Sequence, residues 1–287
     1  MMSHYDVVPR MERIKAIFQE GQHISSIEED LAILMKHLEN TELEFRSVAY
    51  EGASMGLALT DLCKGGALNR WRSFMEGPGA DHSTQIHVGL GWALAQQLIS
   101  ISPFIKTLHP LSAFRVLDGW GYYDGLFRSR QTVYNNQNRS EKIPAEYFHA
   151  FDQGVGRSLW YRCKADLPKI SEQIENFTAT RHPDLWRGIG IACAYVGGCD
   201  KITLEEISRA AANHKRHLAI GSALAARARI HSKSITQDAE LACRIWCNCS
   251  ASEAMSLTIK AEPTIVLNQE SLFNTWISNI ALLLSKK

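Results

Sequence analysis

AYEGASMGLAL (Ala49–Leu59) and FDQGVGRSLWY (Phe151–Tyr161) decide the fold, because they are two versions of one pattern. Gly52 aligns with Gly154, 102 positions later. Downstream, HVGLGWALA (His87–Ala95) matches WRGIGIACA (Trp186–Ala194), with Gly89 and Gly91 falling on Gly188 and Gly190 at an offset of 99. Between these blocks Phe74 aligns with Phe177, 103 positions later, and the drop to 99 matches four extra residues, GPGA (Gly77–Ala80), in the first copy. AIGSALA (Ala219–Ala225) starts a degenerate third copy. Runs of Ala, Gly and Leu predict helices that approach one another closely. Their repetition predicts an array in which each unit buries its apolar face on the next.

The expected fold is therefore all-α, an array of duplicated helical units forming one compact body. It divides into an N-terminal helical segment (1–44), a first block (45–147) and a second block with the degenerate repeat (148–287). Ile27–Leu38 carries an amphipathic stripe that Ser25 or Ser26 would cap. Gly52–Leu62, His87–Ile99, Ala145–Cys163 and Leu185–Val196 read as buried helices. Thr203 with Glu206, and Ser250 with Glu253, have capping-box spacing. Thr264–Leu267 is a short strand candidate and equally a loop. Leu108–Pro144 separates the two best copies. It holds LDGWGYYDGLF (Leu117–Phe127), whose pairs Asp118-Gly119 and Asp124-Gly125 are turn signals that predict a corner. It also holds YNNQNRSEK (Tyr134–Lys142), a surface loop or flap.

With 287 residues, 45% hydrophobic and 21% charged, the composition is that of a globular chain with a substantial core. The 31 basic and 30 acidic side chains nearly cancel, which argues against nucleic acid as a partner. MMSHYDVVPRMERIK lacks the apolar run of a signal peptide, and no window reaches the roughly 18 apolar residues of a membrane span. The seven cysteines are odd in number and lack zinc-site spacing, and Cys243 and Cys247 fall on one helical face, so buried thiols in a reducing cytoplasm are expected.

Gly89-Leu-Gly91 lacks the preceding strand and third glycine of a phosphate loop and reads as helix packing. His82 and His87 are five apart, off the shared face that two metal ligands on a helix need, so no metal site is assigned. His82 aligns with Arg181 or His182, which puts a basic group at both helix entries and calls for an anionic partner there. Glu51 and Asp152 are placed at equivalent helix starts. Either the helix dipole stabilises them, or with Asp118 or Asp124 they form an acid pair with split pKa values. Arg157 and Arg187 are internal ion-pair candidates. The catalytic candidates are Asp118, Asp124 and Asp152. The binding candidates are Glu51, His82, His87, Arg157 and His182, with aromatic walls from Trp120, Tyr122, Tyr123, Trp160 and Trp186. Asp118 or Asp124 is expected to approach Asp152 or His82. No cofactor motif is visible, which leaves the cofactor unknown.

AYEGASMGLALTDL, the GPGA–His82–HVGLGWALA block, LDGWGYYDGLF, FDQGVGRSLWY and RHPDLWRGIGIACAYVGG together resemble a bacterial family of unknown function. Its members are encoded beside enediyne-type polyketide synthases and in other natural-product gene clusters. The resemblance runs from about Phe45 to Glu253. It implies a setting in secondary metabolism and assigns no catalytic residue. Joined to the residue reading, it gives a cytoplasmic accessory protein, an enzyme acting on a hydrophobic polyene or polyketide-derived intermediate. The alternative is a non-catalytic scaffold or chaperone docking on a biosynthetic partner protein.

Overall fold

Helix glycines in this chain lie where one main chain touches another. The computed structural model describes residues 7–134, 139–264 and 272–287, and among them there are helices and no strand. In chain order the α-helices are α1 (Val7–Ile27), α2 (Leu31–Glu39), α3 (Leu43–Cys63), α4 (Asn69–Glu76), α5 (Ser83–Gln97), α6 (Ser102–Ile105), α7 (Pro110–Phe127), α8 (Phe148–Arg162), α9 (Leu167–Glu175), α10 (His182–Val196), α11 (Lys201–Ala210), α12 (Lys215–His231), α13 (Gln237–Trp246), α14 (Ala251–Lys260) and α15 (Leu272–Leu284). The long helices form a row in which α1, α3, α5, α7, α8, α10, α12 and α14 each pack on the next.

The contacts inside this row repeat as the sequence does. A methyl on Gly89 would strike the Glu51 carbonyl, and one on Gly188 the Gln153 carbonyl. Gly21 faces the carbonyl of Ala49, and Gly121 that of Phe151. Gly119 faces Val88, and Gly221 faces Arg187. Each pair is related by about the same offset, so α1, α3 and α5 correspond to α7, α8 and α10, and α12 stands again where α7 stands. The connections repeat too. A short helix and a 3-10 turn lead into α5, α10 and α12, the turns being Ala80–His82, Ala179–Arg181 and Ala212–His214. Within the row α3, α5, α7, α8, α10 and α12 are buried on most sides, because their small residues let neighbours close in on several faces.

The row curves back on itself, so that its first helices meet α10 and α12. Arg10 Nε donates to the Val196 carbonyl at 2.8 Å, Arg229 Nη1 to the Glu44 carbonyl at 3.0 Å, and Gln85 Nε2 to the Tyr195 hydroxyl at 3.0 Å. The guanidinium of Arg229 lies 4.2 Å from the centre of the Tyr195 ring. Side chains on the inner side of the curve converge on one space.

Several sequence expectations are corrected here. LDGWGYYDGLF is no corner: it is the second half of the continuous helix α7. Asp-Gly signals a turn only when the glycine is free to take positive φ, and here Gly119, Gly121 and Gly125 are taken up by contacts with α5 and α8. Ser25 and Ser26 lie inside α1, while Asp30 caps α2 by accepting from Ala32 N at 2.7 Å. Asp200 caps α11 in place of Thr203. The Ser250–Glu253 capping box is present at α14. Residues 265–267 of the strand candidate and 135–138 of the polar run lie outside the described residues. Cys243, Cys247 and Cys249 are buried among alanines of α12 and α14. No helix among the described residues is long and apolar enough to cross a membrane.

Candidate functional site

Inside the curve, α1, α3, α5, α7 and α8 enclose a cavity of about 540 Å3. Its walls are apolar and aromatic, from Met11, Ile14, Phe18, Met55, Trp92 and Leu126. The Trp92 ring meets Phe18 at 4.7 Å and Tyr122 at 4.9 Å between centroids. The mouth carries Lys15, Arg162 and Lys164, and the floor is polar.

Glu51, Arg157, Tyr122, Tyr161 and Tyr195 line that floor, and Asp118 stands directly behind it. Glu51 sits in the middle of α3, 6% exposed, with its carboxyl lining the cavity. Burial pushes its pKa up to about 7, Arg157 pulls it down, and Asp118 adds to the rise. Arg157 of α8 donates from Nη1 to Asp118 Oδ2 of α7 at 2.7 Å and lies 4.4 Å from the centre of the Tyr122 ring. Burial works against the Arg157 charge, but the carboxylates of Asp118 and Glu51 outweigh it and hold its pKa above the ordinary arginine value. Burial also raises Tyr122 well above the usual phenol range and pushes Tyr161 up to about 12. Tyr195 of α10 completes the floor. The arrangement is acid–guanidinium–acid, with phenol hydroxyls beside it, at the bottom of an apolar hole. A carboxyl half-protonated near neutral pH can give or take a proton there.

Of the sequence candidates, Glu51, Asp118, Tyr122 and Arg157 are thus brought together. Tyr123 lines the cavity nearer its mouth. The others are held elsewhere. Asp124 accepts from Arg128 Nη1 at 2.5 Å and Trp120 Nε1 at 3.0 Å, a clamp within α7. Asp152, 1% exposed, is gripped by Arg181 Nε at 3.0 Å and by Arg139 Nε at 3.1 Å. Arg139 belongs to the polar run expected to act as a flap, so this end of the run is anchored on Asp152, away from the cavity. His82 shares a 2.9 Å hydrogen bond with Ser47 and stacks on Tyr50 at 3.8 Å. His87 bonds the Ser83 carbonyl at 2.5 Å and meets Trp71 edge-on. Burial brings both histidines down to about 4, which leaves them uncharged at neutral pH. His182 bonds the Phe177 carbonyl at 2.8 Å, while Trp120, Trp160 and Trp186 are core side chains that line no part of the cavity. Neither Asp118 nor Asp124 approaches Asp152 or His82: Asp118 pairs with Arg157, and each of the others has its own partners.

Two readings were off by one step of the helix. Glu51 is not at a helix start, and Gln153, not Asp152, corresponds to it. Gln153 Oε1 accepts from Arg187 Nε at 2.6 Å, and Arg187 also donates to Asp184 at 2.6 Å. Trp92, Tyr161 and Tyr195 were missed as site residues. The available signal was that Trp92 follows Gly89 by three residues and Tyr161 follows Arg157 by four, each on the same face of its helix; Tyr195 carries no such local mark.

A family model described as Protein of unknown function (DUF1702) matches residues 2–283. No curated protein and no solved structure matches the chain.

Proposed function

The chain belongs to the DUF1702 family, and from that premise we propose that it binds a hydrophobic small molecule in the α1–α8 cavity and acts on it by proton transfer. One observation carries this reading: the buried carboxyl of Glu51, beside the Arg157–Asp118 ion pair, opens on a hole walled by aromatic and aliphatic side chains. Such a site takes an elongated apolar molecule whose reacting polar group reaches the floor. Glu51 moves the proton, and Arg157 holds charge that develops on the ligand. The resemblance of the sequence blocks to a family from natural-product gene clusters supports a bacterial biosynthetic setting, with a polyene or enediyne-like polyketide intermediate as the ligand. A cytoplasmic location fits such a role.

The test uses a long-chain conjugated tetraene, which quenches nearby tryptophan. We expect quenching of Trp92 at micromolar probe, lost in Met55→Trp, which fills the cavity, and kept in Glu51→Gln. In the producing host, Glu51→Gln should change the metabolite profile at unchanged protein level. A protein that ignores the tetraene in every form, yet copurifies with a biosynthetic partner, would be the scaffold instead.

A further inference from the structure

Behind the floor lies a second cavity of about 70 Å3. Glu51, Arg157 and Tyr195 border both spaces, so a front and a rear chamber adjoin at these three side chains. The rear walls bring Gln85, Arg115, Asp118 and Arg227 together from α5, α7 and α12. Asp118 Oδ1, Gln85 Oε1 and Arg227 Nη1 are buried and have no hydrogen-bond partner among the described residues. Asp118 and Gln85 are each 4% exposed. Two of these three atoms accept and one donates. An anion would meet the Asp118 carboxylate, and a cation would meet the guanidiniums of Arg115 and Arg227. Water both donates and accepts, and the volume suits about two molecules at ~30 Å3 each. The walls are otherwise largely apolar, with Leu111, Phe114, Phe273 and Trp276, and orphaned polar atoms set in such a lining are the usual surroundings of buried water.

The front chamber differs in kind. Among its described lining residues there is no serine, threonine, cysteine or histidine. The front chamber therefore offers no aliphatic hydroxyl or thiol nucleophile, and its floor presents the Glu51 carboxyl, the Arg157 guanidinium and phenols, with the Asp118 carboxylate behind them in the rear chamber.

We propose that the rear chamber holds the water the site consumes, and that the protein adds this water to an apolar electrophile in the front chamber, an epoxide on a hydrocarbon chain. The inference rests on the proton-transfer reading of the site and extends it to a reaction. The Asp118 carboxylate takes a proton from a chamber water, whose oxygen forms a bond to one epoxide carbon. The carbon–oxygen bond of the ring breaks, and its electron pair stays on the epoxide oxygen. That oxygen takes the proton of the Glu51 carboxyl, and the product is a vicinal diol. The second water returns the proton from Asp118 to Glu51, so atoms and charges balance without an oxidant or reductant. An epoxide fits because it is uncharged and mostly hydrocarbon. It also needs a proton on its leaving oxygen rather than a covalent side-chain nucleophile.

The experiment incubates the full chain with a long-chain alkyl epoxide in oxygen-18 water, with tetraene quenching of Trp92 followed in parallel. We expect a diol carrying one oxygen-18. Turnover should fall at least 100-fold in Glu51→Gln and in Asp118→Asn. Ala225→Val, which narrows the rear chamber, should lower turnover about 10-fold and leave tetraene binding unchanged. A crystal structure should place water on Asp118 Oδ1 and Gln85 Oε1. A dry rear chamber, or one holding an anion, overturns the proposal. So does absence of diol while the tetraene still quenches Trp92, a result that leaves the ligand-binding reading standing. Loss of quenching as well would overturn that reading itself.

Discussion

In the first copy Tyr50 stacks on His82 and donates to Glu39 at 2.7 Å, whereas in the second copy the corresponding Asp152 grips Arg181. One residue further on, Glu51 faces an open cavity, while Gln153 is bonded to Arg187. The main chains at these places are equivalent, down to the carbonyls that the neighbouring glycines touch. What differs is whether the inward side chains satisfy one another. In the second copy Arg187, Asp184, Gln153 and His149 close a network. In the first, Val88 stands where Arg187 does, so Glu51 has no such partner. A duplicated scaffold thus yields one filled seam and one open seam.

The largest effect should come from breaking the filled seam. Asp152→Asn leaves Arg181 and Arg139 facing a neutral group in a buried site and should cost about 3 to 5 kcal/mol in denaturant unfolding. A loss below about 1 kcal/mol would show that the two copies are not chemically distinct here. Next comes Glu51. Its folded-state pKa of about 7 lies above the ordinary glutamate value of 4.5, so the folded protein binds the extra proton between those values. Stability present at low pH is then lost as pH rises through 7, up to about 2 to 3 kcal/mol between pH 5 and 8. Glu51→Gln should flatten this limb, and Gln153→Glu, set against Arg187, should not create one. His82 acts in the opposite sense. Its folded pKa of about 4 lies below the ordinary 6.5, so its contribution is full above 6.5 and lost as pH falls towards 4. His82→Asn should reduce the drop in stability between pH 7 and 5 by about 2 kcal/mol, whereas Arg181, always charged, gives the second copy no such limb. The smallest effect is Tyr50→Phe, which loses one half-buried hydrogen bond and should cost about 1 kcal/mol by thermal melting.

The helices and their repetition were legible because a glycine that meets a backbone carbonyl leaves a fixed mark: Gly89 and Gly188 keep their spacing whatever the side chains around them become. Membership of the site was legible only in part. Glu51, Asp118, Tyr122 and Arg157 stood out as charged or aromatic residues in Ala/Gly helices, yet Asp152 stood out equally and faces another way. One residue is 100° of helix, so pairing Glu51 with Asp152 instead of Gln153 turns a cavity group into a core clamp. The Asp-Gly pairs of α7 misled for a related reason. Composition alone does not say whether a glycine serves a turn or a close approach, and only the neighbouring α5 and α8 decide it. Trp92, Tyr161 and Tyr195 come from three helices far apart in sequence, and their meeting depends on how the row curves.

The glycine contacts also govern how this protein can change over generations. Helix spacing is fixed by main chain against main chain, so a single added methyl at Gly154 would press on the Asp118 carbonyl and shift α7, the helix that carries Asp118. The cavity wall is under no such constraint. Met11, Ile14, Met55 and Leu126 touch the ligand space with flexible side chains that can be exchanged without moving a backbone. On the proposed function, substitutions in the wall would alter which molecules fit, while the acid–guanidinium–acid arrangement stays in register. The scaffold is rigid where it holds Glu51, Arg157 and Asp118 in place and permissive where it shapes the hole above them.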